Sequence, residues 1–214
     1  MLSGRAAFHA RANKRIGIYC SVHDYTLGYY RTFEFLLTTD SGIISGRQSG
    51  GSRGELVERR LVAILAADVV GYSLLMGKDE TGTLERLKAL HKQLVQPRIT
   101  EHSGRIVKLM GDGLLAEFPS VVEAVQCAIE IQQQMTARET DVPDDQRIRL
   151  RIGVNLGDIM VEGSDIYGDG VNVAARLEGL AEPGGVCVSG AAFDAVEGKI
   201  SLAIEDMGLQ KVKN

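Results

Sequence analysis

The spacing of hydrophobic positions after residue 58 predicts several β-strands. Residues 60–70 (RLVAILAADVV) are apolar almost throughout, which is typical of a strand buried on both faces. Residues 105–110 (RIVKLM) and 114–118 (LLAEF) flank a Gly-Asp-Gly turn and therefore predict a β-hairpin. The alternating segment at residues 147–163 (RIRLRIGVNLGDIMVEG) predicts a strand, a turn and a second strand.

Apolar residues at helical spacing predict helices between these strands. One helix begins after Asp79, a residue suited to the N-cap position, and carries leucines every three or four residues. A second helix begins after Ser120 and has an apolar stripe with a polar reverse face. Beyond a loop at residues 164–170, two further helices at 171–181 and 190–198 alternate with strands at 185–189 and 202–208.

The order of the first six elements is β-α-β-β-α-β. This is the order of a ferredoxin-like core, so the sequence predicts an α+β fold with extra C-terminal αβ elements. In such a sheet the first strand lies beside the third and runs antiparallel to it. The hairpin turn that contains Asp112 is therefore expected beside Asp68, which lies near the end of the first strand.

Residues 1–57 differ in composition from the rest of the chain. Positions 41–55 contain five glycines and four serines, the composition of a flexible linker. The residues before this linker show no clean strand or helix period, so we expect residues 1–57 to be poorly ordered. This segment carries seven Lys and Arg against four Asp and Glu, a net charge of +3, whereas residues 58–214 carry 17 against 24, a net charge of −7. Residues 58–214 are expected to form one domain.

The overall composition excludes several classes of protein. The chain of 214 residues is 44% hydrophobic and 24% charged with a net charge of −4, which does not suggest a nucleic-acid-binding protein. Its three cysteines lie far apart without CxxC spacing, which favours a reducing, cytoplasmic location over a disulfide framework or a zinc site. The longest apolar run is too short to cross a membrane, and no secretory signal is recognisable.

Asp68 and Asp112 are the first candidates for chemistry. Taken singly, each could be a solvated residue at a strand end or in a turn. Side by side, two carboxylates repel each other unless a proton or a cation relieves them, and two metal ions held by such a pair could bind a nucleoside triphosphate. The segment after Asp68 (DVVGYS, residues 68–73) has Gly71 at its middle and could bring backbone N–H groups close to phosphate oxygens.

Asn172 and Arg176 are the second candidates. Their i, i+4 spacing places them on one face of the predicted helix. An amide beside a guanidinium suits a ribose oxygen and the charge that develops on a phosphorus centre, although a polar surface face would have the same pattern. Lys108 could likewise be a solvated lysine on a strand.

Three motifs together resemble one known family. The segments ILAADVVGYS (64–73), VKLMGDGLLAEF (107–118) and DIYGDGVNVAARLE (165–178), in this order, are similar to those of class III adenylate/guanylate cyclase catalytic domains. The resemblance covers about residues 60–214. It implies that Asp68 and Asp112 bind two Mg²⁺ or Mn²⁺ ions and that Gly71, Tyr72 and Ser73 contact the substrate phosphates.

The resemblance also implies how a purine nucleotide is recognised. Lys108 would donate to a ring nitrogen of the base, and Asp165 would accept from the exocyclic amine of adenine. Asn172 would orient the ribose and Arg176 would stabilise the transition state at the α-phosphate. Lys213 would contact the triphosphate. Because members of the family usually continue with another strand after this lysine, the domain is expected to be truncated at its C-terminus.

The implied activity is adenylate cyclase: attack of the ribose 3′ oxygen of ATP on the α-phosphorus, giving 3′,5′-cyclic AMP and pyrophosphate for intracellular signalling. In this family the metal-binding carboxylates come from one subunit and the other site residues from its partner, which implies a head-to-tail homodimer. Two alternatives remain: a guanylate cyclase, or an impaired cyclase-like module that only binds nucleotide or dimerises. A diguanylate cyclase is disfavoured because the hairpin lacks the adjacent acidic pair of that family.

Overall fold

The computed structural model describes residues 18–21, 58–200 and 204–207. Our expectations for Lys213, and for most of residues 1–57, lie outside this part of the chain. The strands are β1 (Ile18–Ser21), β2 (Glu58–Val69), β3 (Arg105–Met110), β4 (Gly113–Phe118), β5 (Leu150–Glu162), β6 (Asp165–Tyr167), β7 (Val186–Ser189) and β8 (Ile204–Asp206). The helices are α1 (Tyr72–Lys78), α2 (Glu80–Leu90), α3 (Gln96–Glu101), α4 (Val121–Arg138), α5 (Asp169–Leu180) and α6 (Gly190–Val196), with a π-helical turn at His91–Val95 and a 3₁₀ turn at Asp144–Gln146.

The strands form one sheet in the order β3-β4-β2-β5-β7-β1-β8, with β6 paired to β5. Within the set β3-β4-β2-β5 every pair of neighbouring strands is antiparallel, which confirms the predicted ferredoxin-like core. Strands β7, β1 and β8 extend the sheet in parallel. β1 comes from the segment whose hydrophobic pattern predicted no element.

Helices α2 and α4 begin where the sequence predicts, whereas α1 was not predicted. The Asp79 side chain accepts a hydrogen bond of 2.9 Å from the backbone N–H of Gly82 and caps α2. The Ser120 hydroxyl accepts one of 3.4 Å from the backbone N–H of Glu123 and caps α4. Among the described residues, none of the helices is long and apolar enough to span a bilayer.

Helices cover both faces of the sheet. Along β2, Ala63, Leu65 and Ala67 point into the larger core beneath α2, α3, α4 and α6. The alternate residues, from Val62 to Ala66, point to the opposite face, where Ala174 of α5 packs against them. Because side chains alternate along a strand, Asp68 also falls on the face that α5 covers.

The segment at residues 147–163 forms one continuous strand, so the predicted turn within it is wrong. Its glycines serve close packing with α5 instead. A Cβ atom on Gly153 would lie 2.3 Å from both the carbonyl oxygen of Ala174 and the backbone nitrogen of Glu178. A Cβ atom on Gly157 would lie 3.1 Å from the Cα of Gly170. Glycine is required here because the helix backbone rests directly on the strand.

Strand β6 was also missed, because the sequence predicted only a loop at residues 164–170. Glu162 pairs with Asp165 where the chain reverses after β5. Ile166 is buried among residues of β2 and β4, including Leu115, so this hairpin folds over the face of the sheet. A three-residue strand is too short to show a period in sequence.

Candidate active site

The turn between β3 and β4 brings Asp112 to the end of β2, where Asp68 lies. Ala67 pairs with Leu114, so the turn residues stand level with the end of β2. Both aspartates are half-buried, and their carboxyl groups lie within hydrogen-bonding reach of each other. Burial raises the pKa of Asp68, and the neighbouring charge of Asp112 raises it further. The topology therefore brings together the two carboxylates that the sequence singled out.

Each glycine of the Gly-Asp-Gly turn has a structural reason. Gly111 adopts a φ of 61°, in the left-handed region that favours glycine. A Cβ atom on Gly113 would lie 3.3 Å from the carbonyl oxygen of Ala67 and 3.5 Å from Oδ1 of Asp68. The second glycine thus lets the turn approach the end of β2 closely, which is what places Asp112 beside Asp68.

Two further charged residues, Arg151 and Glu178, stand beside this pair, and the sequence reasoning missed both. Arg151 is directly opposite Asp68 in the β2–β5 ladder, and its positive charge opposes the rise in the pKa of Asp68. Burial raises the pKa of Glu178 to about 7, and the charges of Asp68 and Asp112 contribute to the rise. Three carboxyl groups thus face one guanidinium, and this excess of negative charge suits a bound cation.

Only weak signals in the sequence could have identified Arg151 and Glu178. Arg151 alternates with apolar neighbours and so lies on the face opposite the larger core, and Glu178 ends the third motif. Neither pattern shows that α5 crosses β5 at this point. The side-chain nitrogen Nε of Arg151 is buried and has no hydrogen-bond partner among the described residues.

A β-bulge determines the orientation of Lys108. Ile106 pairs with Ala116, but Lys108 rather than Val107 pairs next, with Leu115. The extra residue moves Lys108 to the face of Leu115, which is the face that carries α5 and β6. Regular alternation would have placed Lys108 on the opposite face. The Lys108 side chain is exposed.

Asp165 opens β6 and is half-buried. The hydroxyl of Tyr167 donates a hydrogen bond of 3.2 Å to Oδ2 of Asp165. Strand β6 contacts β3, the strand that carries Lys108. The two residues expected to contact the base therefore lie on the same side of the sheet, on two strands that contact each other without pairing.

Asn172 and Arg176 lie on α5, away from the sheet. The buried residues of this helix are Gly170, Ala174 and Leu177. At about 100° per residue, Asn172 and Arg176 are roughly 130° to 170° from the centre of that buried face. Asn172 is exposed and Arg176 is half-buried. The fold thus directs this pair away from the sheet face that carries Asp68 of the same chain.

The segment that follows Asp68 begins α1. Gly71 precedes the helix with a φ of 65°, and the backbone N–H groups of Leu74 and Leu75 donate to its carbonyl oxygen. Tyr72 packs against the larger core, whereas Ser73 is exposed. Part of the Tyr72 side chain is thus covered by the core, whereas the Ser73 side chain is open to solvent.

The donor set fits a hard divalent cation whose coordination is completed by its ligand. Among the described residues, no group of three or more His, Cys, Asp or Glu side chains is arranged to hold a metal ion. Mg²⁺ is commonly bound by one or two carboxylates together with substrate phosphates and water. Asp68 and Asp112 supply the two carboxylates of such a site.

Comparisons with known proteins point to one family. The family described as adenylate and guanylate cyclase catalytic domain matches residues 57–214. A protein of Rhizobium meliloti (strain 1021) named "Putative adenylate cyclase 3" is 53% identical over 160 residues, which are 75% of this chain but only 27% of that relative. The chain thus spans about a quarter of the length of this relative.

Solved structures give the same result. The adenylate/guanylate cyclase/hydrolase of Silicibacter pomeroyi is 52% identical, with a TM-score of 0.70 over 74% of this chain and 92% of that one. The guanylyl cyclase Cya2 shares the fold at 22% identity, with a TM-score of 0.60 over 68% of this chain and 82% of that one. The match to the family over residues 57–214, the identity to these relatives and the shared fold show that the chain belongs to the class III adenylate/guanylate cyclase catalytic domains.

Proposed function

We propose that this chain is an adenylate cyclase that converts ATP to 3′,5′-cyclic AMP and pyrophosphate at the interface of a head-to-tail homodimer. The observation that carries the proposal is the pairing of Asp68 with Asp112 on a face with excess negative charge. Two Mg²⁺ or Mn²⁺ ions would be held by these carboxylates. When bound, such ions lower the pKa of the attacking hydroxyl and neutralise phosphate charge.

The other residues of the site would bind and orient the substrate. Arg151 adds a positive charge beside Asp68, which would attract the phosphates of a substrate bound there. Asn172 would hold the ribose, and Arg176 would stabilise charge on the α-phosphate in the transition state. None of these side chains is suited to act as the general base, so we expect solvent or a substrate phosphate to take the proton of the 3′ hydroxyl.

The arrangement of α5 supports the proposed homodimer. Asn172 and Arg176 lie on its outward face, whereas Asp68 lies on the sheet face that the helix covers. A substrate bound at the carboxylates would therefore need the Asn172 and Arg176 of a second subunit. A head-to-tail pair would contain two such sites, related by two-fold symmetry.

ATP is the proposed substrate because of the residues expected to contact the base. Asp165 accepts hydrogen bonds, which suits the exocyclic amine of adenine, whereas guanine has a carbonyl oxygen at that position. Lys108 can only donate, which suits a ring nitrogen. Cytoplasmic localisation stays a prediction that follows from this intracellular substrate.

The first test is removal of the metal. With ATP and Mg²⁺ or Mn²⁺ the purified chain is expected to form cyclic AMP, and EDTA is expected to abolish this because the phosphate charge is then no longer neutralised. Product is measured by chromatography, and the melting temperature is compared with and without EDTA to show that the fold persists. A folded protein that forms no cyclic AMP with either ion would contradict the proposal.

Base selectivity is tested by replacing both base-contacting residues. The double variant Lys108→Glu, Asp165→Cys is expected to lower the ratio of kcat/KM for ATP to that for GTP by roughly a hundredfold, since each lost base contact is worth about a factor of ten. Lys88→Glu, which repeats the substitution of Lys108 at an exposed position of α2, is the control. Unchanged selectivity in a folded, active double variant would remove Lys108 and Asp165 from base recognition.

A further inference from the structure

An ion-pair network around the buried carboxylate of Glu117 lies on the same face of the sheet as Lys108, near the start of β3. Arg105 of β3 donates from Nε and Nη2 to Oε1 of Glu117 on β4, at 3.1 and 3.0 Å. Arg60 of β2 donates to the same oxygen at 3.5 Å. Glu117 is only 9% exposed, and its two partners lie on β3 and β2, the strands on either side of β4. The carboxylate therefore holds the Arg105 guanidinium in one orientation.

The remaining terminal nitrogen of Arg105 reaches a different part of the chain. Nη1 donates a hydrogen bond of 3.0 Å to the backbone carbonyl of Ser164, which lies in the turn between β5 and β6. Ser164 immediately precedes Asp165, and Arg105 lies three residues before Lys108 on β3. One guanidinium thus ties the strand that carries Lys108 to the turn that carries Asp165.

Strand β6 has little else to hold it in place. It has three residues, of which Ile166 is the buried one, and among the described residues it pairs with β5 alone. Asp165 is the first of these residues, so its position depends directly on how the preceding turn is held. A guanidinium that is itself fixed by a buried carboxylate is a rigid support for that turn, whereas a mobile surface lysine would not be.

We propose that Arg105, held by Glu117, is a positioning residue for base selectivity, because it sets the position of Asp165 relative to Lys108. The inference rests on the proposed function, in which Lys108 and Asp165 contact the base. Arg105 itself does not contact the substrate. It acts through the Ser164 carbonyl, and its loss should change the choice between ATP and GTP more than the rate of reaction.

The test compares Arg105→Lys with Arg138→Lys. Lysine keeps the positive charge at position 105 but lacks the rigid fork of separate nitrogens with which Arg105 bonds Glu117 and Ser164. Arg138 of α4 is exposed and makes one side-chain hydrogen bond, to Gln93, so the same substitution there is a matched control. For Arg105→Lys we expect the ratio of kcat/KM for ATP to that for GTP to fall by roughly tenfold, mainly through a higher KM for ATP. Arg138→Lys should leave the ratio unchanged.

A double variant separates positioning from general stability. If Arg105 acts through Asp165, Arg105→Lys should lower the ratio no further when Asp165 is already asparagine. Equal losses for ATP and GTP in Arg105→Lys, an unchanged ratio, or a further drop in the double variant would each overturn the inference. If the wild-type protein does not convert ATP to cyclic AMP, the proposed function is contradicted instead. The positioning role is then tested by the affinities of the same variants for ATP and GTP, measured by calorimetry.

Discussion

Replacing Asp112 or Asp68 with alanine is expected to lower cyclic AMP formation by about a thousandfold or more. The two carboxylates are the proposed metal ligands, and metal ions contribute several kcal/mol of transition-state stabilisation, with each 1.36 kcal/mol worth a factor of ten. The fold should survive, because removing either carboxylate relieves the repulsion that raises the pKa of Asp68. Rates are measured at saturating ATP and Mg²⁺, and folding is measured by thermal unfolding.

Mixing two inactive variants is the sharper form of this test. Asp68→Ala lacks a metal ligand, and Asn172→Ala lacks a residue that the partner subunit is proposed to supply. A mixed dimer would keep one intact site, so an equal mixture of freely exchanging dimers should recover about a quarter of the wild-type activity. The recovery should require subunit exchange and therefore increase with incubation.

The control is a mixture of two single variants, Asp68→Ala and Asp112→Ala. Both changes affect the same half of the site, so mixed dimers of these two variants contain no intact site and should stay inactive. Differently tagged subunits show whether mixed dimers of Asp68→Ala and Asn172→Ala form. If such dimers form and remain inactive, the hypothesis of a site shared between subunits is wrong, although the family assignment stands.

Replacing Gly153 with alanine is expected to destabilise the protein by about 1–3 kcal/mol, the usual cost of overpacking a well-packed interior. A Cβ atom there would lie 2.3 Å from backbone atoms of α5, which no change of side-chain rotamer can relieve. The helix must shift, and with it Asn172 and Arg176. Because misplacement of site residues by about 1 Å can cost roughly a hundredfold in rate, activity should fall as well.

Gly179→Ala is the matched control for Gly153→Ala. Gly179 lies on α5, is exposed, and a Cβ atom added to it would meet nothing within 4 Å. Alanine should stabilise this helix by up to about 1 kcal/mol. Unfolding in urea measures both variants. Equal stability of Gly153→Ala and wild type would show that α5 does not rest on β5 as closely as described.

Much of the fold could be predicted from local patterns. The order of strands and helices identified the ferredoxin-like core, and the N-caps Asp79 and Ser120 marked helix starts correctly. The pairing of β2 with β4 then followed from topology, and it brings Asp112 to Asp68. These predictions succeed because hydrophobic period and capping chemistry depend on residues close together in the chain.

The predictions that failed depend on contacts between distant segments. The glycines within residues 147–163 looked like a turn, but they accommodate α5, which begins after that strand has ended. Strand β6 is too short to show a hydrophobic period. It is anchored by the buried side chain of Ile166, and the turn before it accepts a hydrogen bond from Arg105 at the carbonyl oxygen of Ser164. Arg151 joins the aspartates because β5 pairs with β2 in this register, and Glu178 joins them because α5 crosses the sheet there.

By itself, the sequence identified the motifs that supply most of the candidate site and predicted that two of their carboxylates meet. Only the tertiary structure decided which way the other residues face. The bulge at Val107 turns Lys108 toward β6, and the packing of α5 turns Asn172 and Arg176 away from Asp68 of the same chain. The physical reason is that backbone pattern is a local property, whereas the face on which a side chain emerges changes with a single residue of register or a small rotation of a helix.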